Sequence, residues 1–191
     1  MTPETIISIC LGIGLSASVG FRVFVPLFAL SLAAYFDVWQ LNESWEWVGS
    51  MPALITLGVA TIVEIFAYFI PYVDNLLDSI AVPLAAIAGT AVMLSTVADL
   101  SSVTTWALAI IAGGGTAAAV AGSSSTTRLA STATTGGIAN PVVSTVETGT
   151  SVVMSVLSVF VPVIAVVLVA ILLFIIFKIY KRFTKKKGTV A

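Results

Sequence analysis

The sequence predicts an all-α integral membrane protein of about six transmembrane helices, arranged as an inverted three-plus-three repeat with broken helices; five crossings is the alternative. Three observations predict it. Apolar runs of about 20 residues, the length that crosses a hydrocarbon core of about 30 Å, recur along most of the chain. Of the 191 residues, 59% are hydrophobic and 17 are charged, with a mean hydropathy of +1.13, a composition foreign to soluble domains. Tyr35, Trp39, Trp45 and Trp47 bracket one polar loop, and Tyr72, Trp106 and Tyr180 flank other span ends, the belt position of interfacial aromatics.

Six apolar spans can be drawn, at 5–36, 51–70, 79–98, 103–135, 142–160 and 161–180. The N-terminus, Met1 to Cys10, lacks a basic n-region and reads as retained. Two spans are too long: at about 1.5 Å per residue, 5–36 and 103–135 would each form a helix near 50 Å. They must protrude, tilt or break. Gly12, Gly14, Gly20 and Pro26 offer the break in the first, and Gly113, Gly114, Gly115 and Gly122 in the second. Residues 142–180 are also too long for one crossing, and Pro162 divides them. An even count with a cytoplasmic C-terminus places the N-terminus inside, the loop Asp37–Ser50 outside, Pro71–Asn75 inside, Asp99–Ser102 outside and Gly136–Pro141 inside.

Charge sets the orientation. Six of the eight basic residues, Lys178, Lys181, Arg182, Lys185, Lys186 and Lys187, fall in the last fourteen positions, so the positive-inside rule puts that end in the cytoplasm of a cell-membrane protein. The chain then divides into a first repeat at 1–100, a second at 101–180 and a basic tail at 181–191 that can snorkel to lipid headgroups. With no histidine and one cysteine, Cys10, the commonest transition-metal sites, disulfides and histidine-based hydrolases are excluded. Gly113-Gly114-Gly115 lacks the lysine of a phosphate loop. The expectation is a protein that is not an enzyme, needs no cofactor or metal, binds no nucleic acid and has the lipid bilayer as its partner.

The remaining charges recur once per half. Gly14 to Gly20 leads to Arg22, and a later span carries Glu64; Gly115 to Gly122 leads to Arg128, and the next span carries Glu147. Three crossings per half would set the halves in opposite senses, as in many transporters. A charged group at the centre of a span costs about 2.5–3.5 kcal/mol on insertion scales, so two arginines and two glutamates are expected to pair, as packing bridges or around a solute or proton path. Ser144, Thr148, Ser151, Ser155 and Ser158 recur at helical spacing beside Glu147 and form one polar face, suited to interhelical packing or to water. The hydroxyl-rich stretch Thr116–Thr135 reads as an extramembrane loop or as a re-entrant cavity segment. Gly114, Ala118 and Gly122 form a ridge for close helix contact within the chain or across a homodimer. Asp74 and Asp78 share a face after Pro71, fit for helix capping or for a hard cation.

Gly14-Leu15-Ser16-Ala17-Ser18, Gly20-Phe21-Arg22, Pro26-Leu27, Glu64, Ile70-Pro71, Asp74, Asp78, Arg128, Asn140, Ser144 and Glu147 together resemble the bacterial membrane proteins grouped as the domain of unknown function 4126 family. The resemblance runs from Gly12 to about Pro162 and implies no activity. The residues themselves point to a small-solute or ion transporter or channel with a midplane site built from Arg22, Glu64, Arg128, Glu147, Ser144, Thr148, Ser151 and Ser155. The alternative is a non-transporting scaffold whose buried charges are structural salt bridges.

Overall fold

A computed structural model describes residues 2–97 and 100–187, with side chains for all of these except Pro71 and residues 183–187. Asp99, expected in an external turn, lies outside the described residues, as do the side chains of Lys185, Lys186 and Lys187. Every regular element described is helical. In chain order these are α1 (Pro3–Val19), α2 (Phe24–Tyr35), a 3₁₀ helix (Glu43–Gly49), α3 (Met51–Ala67), α4 (Pro71–Thr96), α5 (Ser102–Leu108), a π-helical segment (Ala109–Gly114), α6 (Gly115–Thr135), α7 (Asn140–Phe160) and α8 (Pro162–Lys187).

Four helical stretches are long and apolar enough to cross a bilayer: Tyr72–Thr96, Ser102–Thr135, Asn140–Phe160 and Pro162–Arg182. The 3₁₀ helix and α3, bent by 65° at their junction, make a fifth. The protein is thus a multi-pass membrane protein in contact with lipid, with four or five spans by length, where about six were expected and five was the alternative. Ile55, Val59, Ile62, Val63 and Phe66 on α3, and Val167, Ile171, Phe174 and Phe177 on α8, carry apolar surface outward, as a bilayer solvent requires.

The long first span does break, and the reason is local. Pro26 has no amide to return to Arg22, so the helix cannot run on unchanged; α1 closes at Gly20, whose N–H reaches Ala17 O at 3.2 Å, and α2 starts at Phe24. The break makes a hairpin instead of a kinked crossing. Towards the end of α1, Gly12 packs on Met93 and Thr96, Ser16 Oγ donates to Gly89 O at 3.0 Å, and Ser18 meets Ser151 and Ser155, so α1 runs antiparallel to both α4 and α7. Helix α2 then returns along α3, with Phe28 beneath Gly58 and Ala34 beside Gly49. The start of α1 therefore shares an end of the bundle with the loop Asp37–Ser50, where the sequence had placed them on opposite sides.

That loop closes over the same end. Trp39 Nε1 donates to Val159 O at 2.8 Å, and Asn42 N donates to Ser95 O at 3.0 Å, satisfying carbonyls that the C-termini of α7 and α4 leave without intrahelical partners. The opposite end, where α1 turns into α2 and where α4 and α7 begin, is termed the charged end below.

The second long span does not break. Residues 102–135 form one continuous helix, and the three glycines produce a π-helical turn instead. The reason is close packing: a Cβ on Gly113 would lie 2.6 Å from Gly89 O, and one on Gly89 would lie 2.8 Å from Gly113 O. Gly114 presses in the same way on Ala86 and Thr90, so the small-residue ridge serves α4 within the chain. Thr116–Thr135 is accordingly neither loop nor re-entrant segment, because most of its threonines bond back to carbonyls of their own helix, as Thr126 does to Gly122 O and Thr127 to Ser123 O. Gly20 lies against Ala117 and Val120, and α1 and α6 run side by side in one direction. The two glycine-then-arginine stretches thus repeat in the same sense, where opposite senses were expected. Pro162 does divide the last span, with α7 ending at Phe160 and α8 beginning at Pro162.

Candidate functional site

Arg22 and Arg128 are 1% and 2% exposed, the two largest of the fully buried side chains. Each is held at the charged end by the backbone logic above: Arg22 on the turn after α1, Arg128 two turns before α6 ends at Gly136 in the left-handed region, φ 62°, where glycine carries no steric cost.

Arg22 uses all five of its N–H donors. Nε donates to Thr148 Oγ1 at 3.0 Å, Nη1 to Phe21 O at 2.9 Å and Glu147 Oε2 at 3.1 Å, and Nη2 to Ser144 O at 3.0 Å and Ser144 Oγ at 2.6 Å. Arg128 is gripped by carboxylates. Its Nε lies 3.0 Å from Glu147 Oε2, its Nη2 also bonds Glu147 Oε2, its Nη1 bonds Asp74 Oδ1, and Asp78 Oδ1 stands 3.7 Å from Nε. Ser124 donates to Glu147 Oε1. One glutamate on α7 therefore joins guanidiniums from α1 and α6, and two aspartates on α4 close the network.

Tyr68 covers it. Its ring centroid is 3.9 Å from the Arg22 guanidinium carbon and 4.5 Å from that of Arg128, cation–π contacts worth about 2 kcal/mol each when desolvated. The Tyr68 hydroxyl makes no hydrogen bond among the described residues. Asn140 extends the network sideways: Nδ2 donates to Asp74 Oδ2 at 3.2 Å and to Thr132 Oγ1 at 3.1 Å.

Glu64 does something else. Its Oε1 and Oε2 accept from Val23 N at 2.8 Å and Phe24 N at 2.9 Å, so it caps α2 from across the bundle. These are the donors that the helix start leaves free, and a carboxylate there also meets the positive end of the helix dipole. The expected set of four thus comes together in part: Arg22, Arg128 and Glu147 share one network, and Glu64 stands beside it as a cap. Asp74, expected to cap its own helix or to hold a hard cation, bonds Arg128 and Asn140. The network also sits in the first two turns of α4 and α7, nearer the charged end than the middle of the bundle where the sequence placed it.

The serine face of α7 divides in two. Ser144 and Thr148 bind Arg22, whereas Ser151 and Ser155 meet Ser18 Oγ at 2.9 and 2.7 Å, and Ser158 bonds its own helix at Met154 O at 2.6 Å. Of the two uses foreseen for that face, interhelical packing accounts for its far half. Tyr68, Asn140, Thr132 and Ser124 were not singled out as site residues from the sequence. Only Asn140 carried a signal, as part of the family pattern.

Three cavities reach the network from different sides. The largest, about 480 Å³ and almost wholly apolar, opens between α3 and α4 with Glu64, Phe21 and Tyr68 on its wall. A second, about 290 Å³ between α6 and α7, reaches Glu147, Ser124 and Phe21. A third, about 260 Å³ at the charged end, reaches Asp74, Thr132, Asn140 and Tyr68. Phe21 lines the first and the second cavity, and Tyr68 the first and the third.

A family profile described as Domain of unknown function (DUF4126) matches residues 9–182. No curated protein and no solved structure matches the chain.

Proposed function

The chain belongs to the domain of unknown function 4126 family, a membership that carries no activity, and from its geometry we propose a small multi-pass transporter or channel for an ion or small solute. The observation that carries the reading is that buried carboxylates line three separate cavities: Glu64, beside the network, the first, and Glu147 and Asp74, within it, the second and the third. Salt bridges that only hold helices together gain nothing from adjoining voids, which forfeit packing contacts. Phe21, shared by the walls of the first two cavities, and Tyr68, shared by those of the first and third, are the side chains placed to gate passage between them. The C-terminal basic cluster supports a cytoplasmic charged end in the cell membrane, since α8 runs towards that end. The loop Asp37–Ser50 and the N-terminus then face outward. The two glycine–arginine stretches, one in 1–100 and one in 101–180, bring one guanidinium each. No catalytic step and no cofactor form part of the proposal.

The scaffold reading has one observation in its favour, the complete use of the Arg22 donors by the protein itself. The two readings separate in liposomes. Purified protein should pass protons, sodium, potassium, chloride or a small zwitterion faster than protein-free vesicles do. Ser124→Leu, which fills the second cavity and removes a hydroxyl from Glu147, should lower that flux several-fold with little change in melting temperature. Absence of flux for every member of the panel, or equal flux in the variant, would reject transport and leave the scaffold.

A further inference from the structure

The wall of the third cavity includes a residue with an unmet hydrogen-bond acceptor. Asn140, 7% exposed at the start of α7, spends both amide hydrogens, on Asp74 Oδ2 and Thr132 Oγ1, and its Oδ1 is buried without a partner. The amide cannot turn over to repair this, because its oxygen would then face Asp74 Oδ2, an oxygen of the carboxylate that bonds Arg128. A buried orphan acceptor costs roughly 1–3 kcal/mol, and it is met by a donor or a cation.

The charge balance beside it favours a cation. Three carboxylates, Asp74, Asp78 and Glu147, stand within 4.0 Å of only two guanidiniums, those of Arg22 and Arg128. The network therefore carries one formal negative charge in surplus, in surroundings where uncompensated charge is costly. A proton on a carboxylate would cancel that charge and still leave Asn140 Oδ1 unmet. A cation between Asp74 and Asn140 answers both.

Other oxygens stand close by. Asp74 Oδ2 and Thr132 Oγ1 accept from the amide nitrogen at 3.2 and 3.1 Å, next to the free amide oxygen, and all three residues line a cavity of about 260 Å³. The donors are hard oxygens, which suit alkali and alkaline-earth ions. Among the described residues no group of three His, Cys, Asp or Glu side chains is placed to hold a metal ion, and one carboxylate with neutral oxygens matches a single positive charge. We propose that Asp74, Asn140 and Thr132 form a binding site for a monovalent hard cation at the charged end of the bundle. The site stands whether or not the protein transports, since a scaffold with the same surplus charge would bind the ion equally.

The test uses the full-length protein in detergent, with sodium chloride as the probe against N-methyl-D-glucamine chloride at equal ionic strength. Sodium should raise the melting temperature by several degrees along a saturable curve, and radioactive sodium should bind with the same midpoint. Asn140→Ala should weaken that midpoint tenfold or more. If it does not fold, Thr132→Val, which removes one oxygen and keeps the shape, should weaken it several-fold. Asn140→Asp, by adding a second carboxylate, should make folding depend more steeply on sodium. No sodium effect in the wild type overturns the site, as does an undiminished effect in folded Asn140→Ala or Thr132→Val. Stabilisation by acid alone, with none by sodium or potassium, also overturns it and assigns the surplus charge to a proton.

Discussion

Helices α1 and α7 touch twice, by opposite means. At the charged end Arg22 reaches α7 through Glu147, Ser144 and Thr148, with long side chains, directional bonds and cavities around them. Further along, Ser18 meets Ser151 and Ser155, and Gly14 sits directly on Ser158, with side chains so small that no space is left. Membrane helices gain little from excluding lipid, which is as apolar as leucine, so contact must come from close packing or polar pairing. The serine seam uses the first, with short hydroxyl bonds inside it, and the arginine network the second. A seam of small residues fixes the distance between helices, whereas long charged side chains hold them apart and leave room for a solute.

Removing Glu147 should break this contrast at its strongest point. Glu147→Ala strips a carboxylate shared by two buried guanidiniums, and breaking a buried pair costs about 3–5 kcal/mol. The melting temperature in detergent should fall more than for any seam variant below. Glu147→Gln, which keeps an acceptor for Arg22 and Arg128 and loses only the charge, should be less harmful than Glu147→Ala. Equal losses in the two variants would show that charge alone, and not hydrogen bonding, makes the contact.

The two contacts also differed in how much of them the sequence revealed. The serine seam was readable because five hydroxyls recur at helical spacing. Its partner followed from nothing local, since Gly14 and Ser18 belong to a different helix. The charged set was half readable. Arg22, Arg128 and Glu147 stood out by the cost of burying them, yet Glu64 appeared to be an arginine's partner and proved to cap α2. That role depends on two backbone amides whose freedom is created by Pro26, and on the hairpin that brings α3 beside them. The inverted topology failed for the same reason: a span of 32 residues was counted as one crossing, and its break reverses the chain. For residues 102–135 the glycines were read as a break, but their contact with Gly89 is visible only once α4 is in place.

Gly14→Val probes the seam with a middle-sized effect. The added methyls would meet Ser158 and Ala165, and overpacking of this kind costs typically about 1–3 kcal/mol. Thermal unfolding should show the loss, and the separation between spin labels on the two helices should widen at the loop end. The arginine network, several turns away, should keep its sodium response. If that response disappears as well, the two contacts are coupled and the division between seam and network is too sharp.

The smallest change expected is Ser18→Ala. Ser18 Oγ donates to Ser151 O at 2.7 Å and lies 2.7 Å from Ser155 Oγ, while Ser151 Oγ donates to Ser18 O at 3.2 Å. Deleting the hydroxyl removes the first two of these and leaves the third. Ser155 can then turn back to a carbonyl one turn earlier in its own helix, as Ser158 already does with Met154 O, so no buried hydroxyl stays unmet. The loss should be about 1 kcal/mol, and Ser155→Ala added to it should cost almost nothing more, since the bond between the two is already gone. Additive losses would mean that Ser155 holds a partner outside the seam, and a solute path running the length of α7 would then regain its case.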